Sequence, residues 1–330
     1  MNSFRQPPEW AQHDWVWIGF PHDADEWPGM LDAARRDVAD FANAVQAHGE
    51  QVKLLVRDAE NADIAARLVG MHVEIVIHRF GDIWLRDSGP LIVLDGRGRE
   101  ARLFGFNGWG GKYEMDGDRE IGGLLAKDSG LAARRCDWIL EGGAIDLDGS
   151  GLAVTTEQCL LNPNRNPHMD RTAIESRLKS DLGVDRILWL GKGLTNDHTD
   201  GHVDNLARFV GPNRLAIPQA AGDDDPNAAI YADARGRAEA FGVEVVLLPS
   251  PGRVERDGKV IPASYMNLYI SNGAVIVPLY NAPNDMAAVR ALAGFFPDRK
   301  IIGLTAEGIL SGGGSFHCAS QQMPSAPSAD

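Results

Sequence analysis

Short apolar runs alternate with stretches in which apolar residues recur every three to four positions, and the alternation continues along the whole chain. The β-rich runs, bounded by Gly, Pro and Asn, predict strands over 15–20, 52–56, 73–78, 91–94, 101–106, 134–140, 152–155, 186–190, 243–248, 268–270 and 274–277. The helical spacing predicts helices over 31–48, closed by Gly49, and over 62–69, 119–127, 169–182, 227–241 and 285–296. Helix-bearing units thus return at intervals of about 55–70 residues, which suggests a cyclic repeat of strand–helix units, not two unlike domains. No long or low-complexity linker divides the chain, so one α/β domain is expected over 1–324, with a disordered tail over 325–330.

Composition narrows the function more than the fold. With 330 residues, 44% of them hydrophobic, the chain has material for a large core. Its 46 acidic against 32 basic side chains give a net charge of −14, which argues against nucleic acid or an anionic membrane as partner. The same balance favours a cationic ligand, and it equally serves solubility. Cys136, Cys159 and Cys318 are odd in number and form no CxxC pair, so neither a disulfide framework nor a structural zinc site is expected. A reducing, cytoplasmic setting fits, and no secretory leader or membrane span is read.

Four polar segments place ionisable residues among glycines at strand ends. In Trp84-Leu85-Arg86-Asp87-Ser88-Gly89-Pro90, Asp87 is either a local turn-former or a carboxylate that clamps a cation beside the Trp84 ring. Glu141, before Gly142-Gly143, is a turn residue or the orienting partner of a histidine. Around Asp197-His198-Thr199-Asp200-Gly201-His202-Val203-Asp204, an extended backbone would turn His202 and Asp204 to one face and Val203 to the core. His202 is then the natural general acid or base. A metallohydrolase built on His198, His202 and the neighbouring carboxylates competes, although Gly201 opposes the helix that such a pair would need. Finally, Gly312-Gly313-Gly314-Ser315-Phe316-His317-Cys318 presents a lone thiol at a turn, or packs it as a small apolar group. Adjacent strand residues point to opposite faces, so His317 is a poor base for Cys318, and His202 the better one. Several carboxylates facing one pocket repel unless a cation lies between them. A guanidinium, whose fork of N–H donors pairs with two carboxylates and whose carbon accepts a thiolate, meets that need.

The segments WLRDSGP (84–90), EGGAIDLDG (141–149), TTEQCLLNPNRNP (155–167), GHVDNLARF (201–209) and GGGSFHCASQQMP (312–324) resemble, in order and over nearly the whole chain, those of the agmatine deiminases. That group includes the bacterial-type peptidyl-arginine deiminases of the guanidino-modifying (pentein) superfamily. The resemblance implies a five-bladed pseudo-symmetric α/β-propeller with its active site on the central axis. It implies Cys318 as nucleophile, His202 as acid and base, Asp87 and Asp204 gripping the guanidinium, Glu141 orienting His202, and Trp84 walling the channel. Asp200 and His198 would lie on the substrate path. The implied reaction converts agmatine and water to N-carbamoylputrescine and ammonia without metal or organic cofactor, in polyamine (putrescine) biosynthesis or in agmatine catabolism. A small guanidino cation is the implied partner, and the outer face could support a homodimer. The chain departs from the family at His198, where an acidic residue is usual, and at Ser315-Phe316, where Asn-Ile is usual. Departure at His198 bears on the far end of the substrate, so arginine or peptidyl-arginine stands as an alternative. An amidinotransferase with the same Cys–His chemistry and a non-catalytic guanidino-binding protein are further alternatives.

Overall fold

The computed structural model describes residues 4–96 and 98–326. Five small sheets share one plan, in which a strand pairs antiparallel with the next, and that strand leads through a helix to a parallel third. Parallel neighbours need such a crossover, which is why the helices fall where they do. Four sheets use consecutive strands. They are Leu91–Asp95, Gly98–Gly105 and Ala132–Ile139; Ile145–Leu147, Leu152–Thr156 and Arg186–Leu190; Arg208–Gly211, Arg214–Gln219 and Glu244–Pro249; and Tyr269–Ile270, Ala274–Leu279 and Lys300–Thr305. The fifth joins both ends of the chain, Ser320–Pro324 pairing antiparallel with His13–Gly19, which continues in parallel to Gln51–Val56 and Glu74–Ile77. Among the described residues no sheet closes on itself, and a two-stranded ribbon, Glu255–Arg256 with Lys259–Val260, stands apart.

The helix Leu31–Ala47 shows how packing reaches the site. It buries Ala34, Val38, Phe41, Ala42 and Val45 along one face. Phe41 stacks on Phe316 with ring centroids 4.8 Å apart, two residues before Cys318. From the same helix, the Asp37 carboxylate accepts the backbone N–H groups of Gly308 (2.8 Å) and Ile309 (3.0 Å). The thiol's turn and the short helix Glu307–Leu310 that precedes it are thereby each pinned to the core.

Besides the ribbon, five strands escape the periodicity: Ile145–Leu147, Arg208–Gly211, Arg214–Gln219, Lys300–Thr305 and Ser320–Pro324. Lys300–Thr305 is interrupted by Gly303, and both Arg208 and Arg214 place a charge at a strand start. Ser320–Pro324 is polar yet wholly buried, because Gln321 donates to Pro90 O and Gln322 accepts from Arg86. The expected extended run through 202–204 does not form either. Val203–Asn205 is a single tight turn, although Val203 is buried as expected. Of the expected tail, Ser325 donates to Asp14 Oδ1 at 2.6 Å, and 327–330 lie outside the described residues.

Candidate active site

Every sheet contributes to one cluster from the same structural position, the short connector that enters its antiparallel strand. Those connectors carry Asp87 in the turn Leu85–Ser88, Glu141 before Gly142–Ala144, His202 and Asp204 around Val203–Asn205, Asn267 in Tyr265–Asn267, and Cys318 before Ser320–Pro324. They are tied edge to edge. Arg86 N donates to Cys318 O (3.0 Å), Gly143 N to Asp87 Oδ1 (2.9 Å), Ser264 Oγ to Asn205 O (2.6 Å), and His317 N to Asn267 O (3.2 Å).

Cys318 lies against the Asn267 amide, whose Nδ2 donates to the sulfur at 3.0 Å while its Oδ1 accepts the Cys318 backbone N–H at 3.2 Å. The thiol faces Asp204 Oδ2 at 3.5 Å. That same oxygen is 2.7 Å from His317 Nδ1, and the other His317 nitrogen is 2.9 Å from Glu9. The turn through 316–319 is not a strand, so His317 and Cys318 do not point to opposite faces. His317, read from sequence only as a poor base for Cys318, meets the carboxylate that the thiol meets.

Opposite the thiol, Asp87 Oδ2 accepts the Trp109 indole N–H at 2.9 Å, and Asp87 Oδ1 lies 3.8 Å from His202 Nδ1. Glu141 Oε1 accepts from Arg165 Nε at 2.7 Å. Four buried polar atoms nonetheless have no partner among the described residues: Glu141 Oε2, Asp204 Oδ1 and both ring nitrogens of His202. Buried polar atoms are almost always satisfied, so four gathered in one cluster leave it open to a polar guest. Gly143 shows how tightly the atoms converge. A Cβ there would stand 2.6 Å from His202 Nδ1, 2.9 Å from Asp87 Oδ1 and 3.0 Å from Asp204 Oδ2.

Burial and charge set the protonation of this cluster. Burial raises the Cys318 thiol well above its ordinary pKa, and the anions of Asp204 and Asp87 add to it. Burial also dominates Asp87, raising it. For Asp204 burial is outweighed by the hydrogen bond and charge of His317, with His202 and Arg208, and the carboxyl stays below the usual value. Burial opposes protonation of His202, but Asp87, Cys159 and Asp204 carry it well above an ordinary histidine. A buried cation next to these groups would relieve the repulsion and stabilise the thiolate.

A cavity of about 310 Å³ opens beside this cluster, walled by Trp84, Trp109, Tyr113 and His198. Its acidic rim is Asp25, Glu26 and Asp82. Burial, then the anions of Asp118 and Glu26, push Asp82 well above the carboxylate range. Like the two larger cavities, of about 470 and 890 Å³, this one is not lined by the clustered carboxylates, His202 or Cys318. Its walls are what join it to them, since Trp109 donates to Asp87 and the Trp84 ring flanks Gly314 beside Cys318 Cβ.

Residues 5–324 match the family model described as Porphyromonas-type peptidyl-arginine deiminase. The chain belongs to that family. It is 34% identical to an agmatine deiminase of Pseudomonas aeruginosa, over 98% of this chain and 96% of that one. An agmatine deiminase of Pseudomonas putida is 35% identical with the same coverage. Among solved structures, an agmatine deiminase of Enterococcus faecalis superposes with a TM-score of 0.93 at 29% identity, covering 98% of this chain and 96% of that one. The architecture is accordingly the α/β pentein fold.

As a member of the Porphyromonas-type family, the chain brings Cys318, His202, Asp204, Asp87 and Glu141 into one cluster, with Trp84 beside it. Trp84 reaches the thiol side, since a Cβ on Gly314 would meet both its ring (2.8 Å) and Cys318 Cβ (3.0 Å). Lys112, Asn164 and Arg165 all bind the Asp200 carboxylate, and Arg165 joins it to Glu141 of the cluster. His198 lines the mouth and packs over Gly313, whose φ of +108° and contact with the imidazole leave no room for a side chain. The paired metal-ligand reading of His198 and His202 is not realised. Among the described residues the one trio with ligand atoms within 4.8 Å of each other is Glu141, Cys159 and His202. Arg165 already occupies one Glu141 oxygen there.

Sequence reasoning passed over Asn267, Trp109, Arg165 and Glu9. Arg165 stood in a quoted motif, and Trp109 sits in the Gly- and aromatic-rich run Gly108-Trp109-Gly110-Gly111 that could have drawn notice. Asn267 and Glu9 carry no local signal at all.

Proposed function

We propose that the chain is a guanidine deiminase acting on agmatine, a hydrolase of C–N bonds in linear amidines. The observation that carries the reading is the convergence of His202 Nδ1, Asp87 and Asp204 on the Gly143 edge, where Glu141 Oε2, Asp204 Oδ1 and both His202 nitrogens lack partners among the described residues and the Cys318 thiol adjoins Asp204. A guanidinium supplies five N–H donors in a plane, and charge-assisted hydrogen bonds of that kind contribute about 1.5–3 kcal/mol each. Asp87 and Asp204 hold the guanidinium. As the cation binds, Cys318 gives its thiol proton to solvent; its sulfur then attacks the guanidinium carbon, His202 gives its proton to the departing nitrogen, and ammonia leaves an amidino thioether. Water then adds to that carbon, losing a proton to His202, and the C–S bond breaks to restore the thiol. The products are N-carbamoylputrescine and ammonia. Glu141, within 4.8 Å of the His202 ring, favours its protonated form, and water is the only co-reactant in these steps.

Five connectors that each enter a three- or four-stranded sheet from the same position support a five-bladed propeller over 1–324, with this pocket on its axis. The mouth supports a dication. Asp82 and Glu26 form no ion pair among the described residues, and a distal ammonium would supply the missing charge. Free arginine would bring its carboxylate to the same carboxylates. One such repulsion at about 4 Å costs roughly 1 kcal/mol in water and about 4 kcal/mol near protein. Ammonia release across agmatine, arginine, an arginyl peptide and shorter or longer guanidinoalkylamines tests the reading. Agmatine should be preferred over arginine by ~10-fold or more in kcat/KM. Preference for arginine or the peptide, or no release from any of them, would overturn it.

A further inference from the structure

Behind the nucleophile lies a buried chain of charge that the reaction steps above do not use. His317 stands between two carboxylates, with Nδ1 2.7 Å from Asp204 Oδ2 and Nε2 2.9 Å from Glu9 Oε2. Each ring nitrogen faces an acceptor, so a ring carrying both protons donates both ways. Glu9 is itself clamped by Arg86 Nη2 (3.1 Å), Arg208 Nη2 (2.9 Å) and the backbone N–H of Ile270 (2.8 Å). His317 is 2% exposed and Glu9 5%, so their arrangement is fixed by packing. The Asp204 oxygen that takes His317 also faces the Cys318 thiol and the Asn267 amide (3.3 Å), while its other oxygen has no partner.

We propose that His317, braced by Glu9, is a positioning residue for the deiminase reaction. It holds one oxygen of Asp204 toward Cys318 and leaves the other free for the substrate guanidinium. Glu9 comes from the first ten residues and His317 from the last fifteen, so the brace also couples the two ends of the chain to the reacting centre. The proposal rests on the deiminase reading for its kinetic form, but not for its geometry. Groups facing the His317 ring or joined to it through Glu9 and Asp204 are Arg86, Asp146, His202, Arg208 and Cys318. Asp146 is 3.4 Å from Arg208 Nε, so its charge is already matched.

Two side-chain amides separate the contacts. An Asn amide reaches about where His Nδ1 lies, and a Gln amide about where Nε2 lies. His317→Asn should therefore keep the donor to Asp204, with kcat/KM within ~10-fold of the parent, whereas His317→Gln should lose ~100-fold or more. His317→Gln should also move the acid limb of kcat/KM to higher pH, because Asp204 then protonates more readily. Glu9→Gln, which retains a hydrogen-bond acceptor, should fall between the two. Circular dichroism and Tm on each variant check folding. A role in packing alone predicts equal losses for Asn and Gln and an unmoved acid limb, and that result overturns the proposal. Carbon-13 labelled aspartate gives a readout independent of turnover. The carboxyl resonance absent from Asp204→Asn should titrate at higher pH in His317→Gln than in the parent, and an unchanged midpoint counts against the brace. If the parent releases no ammonia from any guanidino compound, the deiminase reading falls, and this titration alone decides the brace.

Discussion

The floor and the mouth of the pocket are both acidic, yet they treat their charges differently. On the floor each carboxylate has a matched neighbour: Asp204 has His317, Glu141 has Arg165, and Asp87 has the Trp109 indole, the Gly143 N–H and the His202 ring nearby. At the mouth Asp82 accepts the Ile83 N–H and a Trp84 hydrogen bond, but its charged neighbours, Asp118 and Glu26, are anions. Burial, with Asp23 and Asp25, raises Glu26 too. A preorganised floor keeps its geometry when substrate arrives, which is where catalysis needs fixed dipoles. An uncompensated mouth gains most from an incoming cation, and so it sets affinity and selection more than rate.

The largest break in this contrast should come from the floor. Gly143→Ala puts a methyl group where Asp87, His202 and Asp204 converge, at a backbone position that tolerates alanine. It should cut kcat/KM by ~100-fold or more, while crowding of these buried groups lowers stability by only about 1–3 kcal/mol. Steady-state kinetics with a thermal melt check it, and near-normal turnover would mean that the guanidinium sits elsewhere. At the mouth, Asp82→Asn should raise KM for agmatine by about 10- to 100-fold with kcat almost unchanged. A fall in kcat at constant KM would move Asp82 to the floor. The smallest effect belongs to His198. His198→Asp adds a carboxylate to the rim and should lower KM for agmatine about two- to fivefold, a partly exposed ion pair contributing under about 1 kcal/mol. The same substitution should leave arginine no better a substrate.

How much of this was legible beforehand follows the same division. Cys318, His202, Asp204, Asp87 and Glu141 stand in polar, Gly-rich segments at strand ends, and the repeat hinted that distant segments meet. The supports of the floor were hidden because they act through space. Asn267 sits between apolar neighbours in Met266-Asn267-Leu268, and Glu9 in a polar N-terminal stretch with no periodicity. His317 was misjudged because its neighbourhood was taken as extended, whereas a turn brings its ring and the Cys318 thiol to one carboxylate oxygen. The partners of Asp200 were hidden in the same way, since Lys112 and Arg165 reach its carboxylate from other loops. Short strands such as Ser320–Pro324 were missed because their polar side chains are satisfied by Pro90 and Arg86, which no local pattern encodes.

The central claim is that the Cys318 sulfur bonds to the guanidinium carbon during turnover. Rapid acid quench of the working enzyme with agmatine, followed by intact-protein and peptide mass analysis, tests it most directly. A transient adduct with the mass of agmatine less ammonia should appear on the Cys318 peptide, and Cys318→Ala should show neither adduct nor ammonia release. Ammonia release that persists in Cys318→Ala, or an adduct on another residue, would contradict it.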